Sequence, residues 1–232
     1  MTKLSIIIPA YNEEKTIKTV IDKVKKVKLK NISKEIIIID NFSEDNTRNI
    51  LKALKDKSLK IFYHGRNMGK GASIKTGLKN STGDLILIQD ADLEYNPDDY
   101  GKLLKPIIEN KANVVYGSRI DATRNNPKKM YKLYYIGNIF LTLMTNLLYG
   151  AKITDMATGY KVFRKEVVKG INLKANGFDF DPEITAKILK KGYKIYEVPI
   201  SFVGRKFEEG KKIRWMDGIK AAYYLLKYRC VD

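Results

Sequence analysis

The chain has 232 residues, 44% hydrophobic and 30% charged, with 44 Lys+Arg against 26 Asp+Glu and a formal net charge of +18. This composition excludes a disordered or low-complexity chain and supplies apolar side chains for one large α/β domain. The single cysteine, Cys230, excludes an internal disulfide and fits a reducing cytoplasmic setting, while the positive charge suits either polyanions and anionic lipid or simple solubility.

Met1 leads directly into KLSIIIPAY, a β-rich run, so no secretory signal is expected before the fold. In NEEKTIKTVIDKVKKV, Ile17, Val20, Ile21, Val24 and Val27 recur at helical spacing, with Asn12 as the expected N-cap. KEIIIID is a second strand, followed by SEDNTRNILKALKD, a helix opening near Ser43 with Ile50, Leu51 and Leu54 on one face. LKIFYH and GDLILIQD are the third and fourth strands, and Pro97 opens a helix over PDDYGKLLKPIIEN, where its missing N–H is harmless. ANVVYGSR is a fifth strand. Continuously apolar strands separated by helices over residues 1–120 predict a right-handed, doubly wound, mostly parallel sheet covered on both faces.

Ligands of such sheets bind outside the carboxyl ends of the strands. PAYNEE, DNFSED, HGRNMGKG and DADLE follow the first four strands and therefore converge on one edge. Asp90, Asp92 and Glu94 alternate, so an extended continuation of the fourth strand would set them on one side. Like charges about 4 Å apart repel by roughly 4 kcal/mol at an effective dielectric near 20. A positive group is expected among them.

The ordered set IIIPAYNEE, IIIDNFSEDNT, NMGKGASIKTG, QDADLEYNPDD, YGSR, TDMATGYKVFRKEV, GFDFDPEI and GRKFEEGKKI spans nearly the whole chain. It resembles the family 2 glycosyltransferases of the GT-A fold, in the branch containing dolichyl-phosphate mannose synthase and other polyprenyl-phosphate glycosyltransferases. The resemblance implies a catalytic domain over residues 1–212, with a nucleotide-binding half over 1–120 and an acceptor half over 121–212. Residues 213–232 are expected to form an amphipathic helix after it, suited to a membrane surface. It also implies inverting transfer of a hexose, mannose or glucose, from a GDP- or UDP-linked donor to polyprenyl phosphate. The same fold acting on a saccharide hydroxyl is the alternative.

Asp90 and Asp92 resemble the family's DxD, with Glu94 as a further ligand of Mg²⁺ or Mn²⁺, which would neutralise the departing diphosphate. Pro9, Tyr11, Glu13, Ile39 and Asn41 match nucleoside-binding positions, Ala91 lies within the DxD, and Asn41 stands where many relatives carry Asp. GRNMGKGAS lacks the GxxxxGK[ST] spacing of a phosphate loop; it is expected to present Lys70 to the donor or to serve as a structural glycine turn. The lone His64 suits strand-end packing. Arg119, Arg205, Lys211 and Lys212 resemble residues that hold the donor diphosphate and acceptor phosphate, and EEGKK a loop closing over bound donor.

A lipid phosphate is already a nucleophile, whereas a sugar hydroxyl needs a base, for which Asp155, Asp179, Asp181 and Glu183 are the candidates. The last three also suit helix capping around Pro182. Asp155 is expected near the sugar or acceptor as a positioning residue, beside the catalytic Asp92 and Arg119. LYYIGNIFLTLMTNLLYGA runs nineteen residues without charge, yet Asn138, Thr142, Thr145, Asn146 and Tyr149 share one face, and Ile139, Phe140, Leu143 and Leu147 another. With the aromatic WMDGIKAAYYLLKYR, it points to a peripheral protein on an anionic cytoplasmic membrane face, alone or with a membrane-protein partner. No basic, aromatic-interleaved nucleic-acid fold is legible.

Overall fold

The structure, a computed structural model, describes residues 1–120, 122, 132–205, 212 and 215–231. Its sheet is built from β1 (Thr2–Ala10), β2 (Ile32–Asp40), β3 (Leu59–Tyr63), β4 (Leu85–Ile88), β5 (Val114–Ser118), β6 (Lys161–Arg164) and β7 (Ile195–Pro199). The helices are α1 (Ile17–Lys26), α2 (Thr47–Ala53), α3 (Lys70–Asn80), α4 (Tyr100–Ile108), α5 (Lys132–Tyr149), α6 (Lys165–Lys169), α7 (Phe180–Lys190) and α8 (Trp215–Cys230). Strand order is β3-β2-β1-β4-β6-β5-β7. β6 runs antiparallel to β4 and β5, and the other pairings are parallel.

The isoleucine runs explain the central strands. Ile6, Ile7 and Ile8 pair with Ile36, Ile37 and Ile38. Because successive side chains alternate, Ile6, Ile8, Ile36 and Ile38 join the core under α1 and α4. Ile7, Ile37 and Ile39 join the opposite core with Ile74, Phe163, Phe180 and Ile184. Both faces are thus covered, as parallel strands require.

Three local expectations change. Asn12 does not cap α1; it sits at φ 49°, accepts from the Glu44 N–H at 2.8 Å, and the helix begins after Thr16. Such a left-handed position suits asparagine, which here ties two loops together. Ser43 does not open α2; its hydroxyl accepts from the Asn12 N–H, and α2 starts at Thr47. The acidic triplet is not an extension of β4, which ends at Ile88; Leu93 at φ 63° turns the chain instead. Pro97 does open a helical turn, with the Asn96 side chain accepting from the Asp98 N–H at 3.3 Å.

The polar face of α5 is the one turned inward. Asn138 donates to Asp155 at 2.9 Å, and Thr142 accepts from the Met156 N–H at 3.1 Å. The Asn146 side chain donates to the Ile153 carbonyl and accepts from the Ile153 N–H. The segment between α5 and β6 has no ladder of its own, and these amides and hydroxyls satisfy its backbone. α8 packs beside α5 through Leu141, Ile153, Met156, Ala221 and Leu225.

Candidate active site

The four strand-end loops meet around a cavity of about 830 Å³. Pro9, Tyr11 and Glu13 enter from β1, Asn41 from β2, Lys70 from the start of α3, and Asp90, Ala91, Asp92 and Glu94 from the turn after β4. The second half contributes Arg119, Gly159, Phe178, Asp181, Arg205 and Lys212. Residues scattered through the sequence share one wall because the sheet aligns their strand ends.

Asn41 organises its neighbours. Its carbonyl oxygen accepts from the Met68 N–H and from His64 Nδ1, both at 2.9 Å, and its amide donates to Asn67 at 2.8 Å. One amide N–H is left over for the cavity. His64 therefore fixes Asn41; Thr76 lies 3.0 Å from its other nitrogen, and burial lowers its pKa. Gly69, at φ 92°, passes so close to Asn176 that a Cβ would sit 2.3 Å from that carbonyl oxygen. The Gly71 and Ala72 N–H groups of α3 donate to the Gly177 and Asn176 carbonyls, so these two are not open to a phosphate. Its turn delivers Lys70, whose ammonium lies 2.7 Å from Asp90.

The positive groups expected among the acids come from the chain itself. Arg205 forks onto Glu13 at 3.0 and 3.1 Å and reaches Asp92 at 3.1 Å, while its backbone N–H donates to Glu94 at 2.7 Å. Its Nε is buried without a hydrogen-bond partner. Lys212 bonds Glu13 at 2.6 Å and the Tyr11 carbonyl, and lies over the Tyr11 ring. Negative charge still predominates near Asp92: burial, then Asp90 and Glu94, push its pKa up to about 7 against the pull of Arg205. Burial would lower the Lys70 pKa, but Asp90 and then Asp181 raise it.

Asp155 stands behind this wall, fully buried. It accepts from Arg119 Nε and Nη2 at 2.7 Å each, from the Arg119 backbone N–H at 2.8 Å and from Asn138. Burial would raise its pKa, but the guanidinium outweighs this and holds it below the ordinary carboxylate value. Asp155 thus aims Arg119, which also lies over the Phe202 ring at 5.3 Å.

The remaining base candidates separate. Glu183 accepts from the backbone N–H groups of Lys174 and Ala175 and from Lys187, and Asp179 accepts from the Gly177 N–H. Asp181 lines the cavity, paired at 2.5 Å with Lys161. Lys161 is fully buried on β6, with its ammonium over the Tyr116 ring at 4.9 Å.

Of the expected site residues, Ile39 and Asp155 do not reach the cavity wall. Ile39 belongs to the core facing α3, and Lys211 and most of EEGKK lie outside the described residues. Sequence reasoning overlooked Tyr95, whose hydroxyl accepts from the Gly159 N–H at 2.7 Å, and Gly159 itself, where a Cβ would fall 2.2 Å from Asp90 Oδ2. Tyr95 was discoverable, being one residue beyond DADLE; Gly159 carries no signal of its own.

Among the described residues, no three acids are gathered as a ready-made metal cage. Asp90, Asp92 and Glu94 nevertheless stand on one short turn, and their oxygens are hard donors of the kind Mg²⁺ and Mn²⁺ take. The buried excess of negative charge at Asp92 is what a divalent cation would relieve. The donor set fits such an ion.

Residues 5–171 match the profile of Glycosyl transferase family 2. A UDP-N-acetylglucosamine–dolichyl-phosphate N-acetylglucosaminyltransferase from Methanococcus voltae is 33% identical over 95% of this chain and 94% of its own length. A dolichyl-phosphate beta-glucosyltransferase from Trichomonas vaginalis is 32% identical over 97% of the chain and 72% of its length. Among solved structures, Mycobacterium tuberculosis glucosyl-3-phosphoglycerate synthase with Mn²⁺, UDP and phosphoglyceric acid superposes with a TM-score of 0.73. It is 17% identical over 99% of this chain and 79% of that one, a likeness of fold. With its six parallel strands, one inserted antiparallel strand and loops gathered at a single edge, the chain has the GT-A fold, and it is a glycosyltransferase belonging to glycosyl transferase family 2.

Proposed function

We propose that the chain transfers a sugar, with inversion, from a UDP- or GDP-linked donor to a polyprenyl or dolichyl phosphate at a membrane surface. The observation that carries this reading is the state of the site's carboxylates. Of the carboxylates lining the cavity, Glu13, Asp90, Asp92, Glu94 and Asp181 each face a cation of the chain, and Asp217 is engaged as well, so none stands open as a base. A hydroxyl acceptor would need one; a phosphate acceptor brings its own nucleophile. The dolichyl-phosphate relatives support the same acceptor.

In the proposed reaction an oxygen of the lipid phosphate attacks the anomeric carbon. The bond to the donor diphosphate breaks, and its electron pair leaves on the phosphate oxygen. Tyr11 offers a ring for the base, with Glu13 and the spare Asn41 N–H as hydrogen-bonding groups. Arg205 and Lys212 can exchange Glu13 and Asp92 for phosphate oxygens, which Arg205 suits through its forked donors and its buried, unmatched Nε. Lys70 offers a further cation, and Arg119, aimed by Asp155, offers its guanidinium to the phosphates. Asp90, Asp92 and Glu94 would hold Mg²⁺ or Mn²⁺, which when bound supplies Lewis-acid neutralisation of the leaving diphosphate.

The test offers labelled UDP- and GDP-sugars with polyprenyl phosphate or an oligosaccharide, using wild type and Asp181→Asn. Label should enter the lipid, and the variant should still turn over. Label entering only the oligosaccharide, with Asp181→Asn inactive, would overturn the lipid-phosphate reading.

A further inference from the structure

With its polar side buried, α5 turns its apolar side outward. Leu133, Ile136, Phe140, Leu143 and Leu147 are 57% to 86% exposed, at steps of three and four residues that trace one stripe along the helix. α8 repeats the pattern: Met216, Ile219, Tyr223 and Leu226 are 47% to 61% exposed, opposite the buried Ala221, Leu225 and Tyr228. The two helices pack side by side, so nine large apolar side chains face outward on neighbouring helices. Singly scattered exposed apolar residues are ordinary; two ordered stripes are not.

We propose that α5 and α8 form a docking face for an anionic lipid bilayer, which deepens the lipid-phosphate reading above and rests on it for its purpose. Charge selects this occupant. Lys220 and Lys227 each follow a stripe residue by one position and so run along its edge, where Asp217 is the single acid of α8, and Arg229 and Lys152 are exposed nearby. Cations beside an apolar stripe match the boundary between anionic headgroups and acyl chains. A second copy would instead bring two chains of net charge +18 together. Among the described residues no helix is long and apolar enough to cross a membrane, so these helices would lie along its surface. The face also reaches the site, since Met216 and Lys220 line the cavity mouth. An acceptor could therefore leave its chain in the bilayer while its phosphate enters the cavity.

The test is flotation with vesicles of phosphatidylglycerol and phosphatidylethanolamine in equal parts, and with phosphatidylcholine alone. It compares wild type with Leu143→Glu/Leu147→Glu on α5 and Ile219→Glu on α8, all outside the cavity wall. Wild type should float with the anionic vesicles, more weakly at high salt and weakly with phosphatidylcholine. Each variant should partition at least roughly tenfold less, because charge replaces buried apolar area. The variants should keep transfer to a short-chain, water-soluble prenyl phosphate and lose transfer to long-chain acceptor in vesicles. Wild type that stays in solution, variants that float equally well, or a wild-type dimer that the substitutions split into monomers would overturn the proposal. Vesicle binding without transfer to either prenyl phosphate would overturn the acceptor reading and leave the docking face standing.

Discussion

Replacing Asp155 with leucine tests how the site is braced. Asp155 is fully buried and receives three hydrogen bonds from Arg119, two at 2.7 Å and one at 2.8 Å. Removing the carboxylate leaves the guanidinium facing a neutral side chain inside the protein. Breaking one side of a buried ion pair costs about 3–5 kcal/mol. For a chain of this size each kcal/mol moves the melting temperature by about 2–4 °C, so Asp155→Leu should melt roughly 6–20 °C below wild type. Replacing both partners, as in Arg119→Met/Asp155→Leu, removes the stranded charge and should recover most of that loss. Transfer should remain lost, because Arg119 belongs to the cavity wall. Since the folded-state pKa of Asp155 is depressed, its contribution is present at neutral pH and disappears as the carboxylate protonates in acid. The gap between wild type and Asp155→Leu should therefore close on acidification. Differential scanning fluorimetry across pH measures all of this. A single variant melting within about 2 °C of wild type at neutral pH would refute the bracing argument.

Asp92 behaves with the opposite sign. Its pKa is pushed up to about 7, so in metal-free protein its ionisation destabilises the fold as pH rises from the ordinary carboxylate value of about 3.9. Asp92→Asn should melt above wild type at pH 8 without metal, with the advantage vanishing near about pH 4 in a melting series. Gly159→Ala would push a methyl to 2.2 Å from Asp90 and 2.8 Å from the Tyr95 ring, and should cost about 1–3 kcal/mol in denaturant unfolding while lowering transfer. Gly69→Ala must hold φ 92° with its Cβ against the Asn176 carbonyl. It should destabilise the protein and raise the Michaelis constant for donor by misplacing Lys70, which steady-state kinetics would reveal.

The first five strands and the converging loops were legible because their isoleucine runs and turn residues are local signals. β6 was not, although it lies between β4 and β5. Lys161 and Arg164 bound only two apolar residues there, and a buried lysine reads as surface until Asp181 is found opposite it in space. The need for cations at DADLE was readable from charge alone. Their sources were suggested by motif, but the Arg205 fork onto Glu13 joins positions 192 residues apart. Periodicity revealed two faces on α5 without saying which was buried. That is decided by the segment around Asp155, whose backbone and carboxylate need the polar side. Asn12 misled as a cap because a side chain suited to capping is equally suited to a left-handed turn.

In the proposed reaction the acidic turn exchanges the chain's own cations for a divalent ion and a diphosphate. Electron paramagnetic resonance titration of Mn²⁺, with and without UDP or GDP, measures this most directly. The nucleotide should tighten Mn²⁺ binding, and Asp92→Asn should abolish the tightening together with sugar transfer. Mn²⁺ binding indifferent to nucleotide, with Asp92→Asn transferring sugar at the wild-type rate, would contradict it.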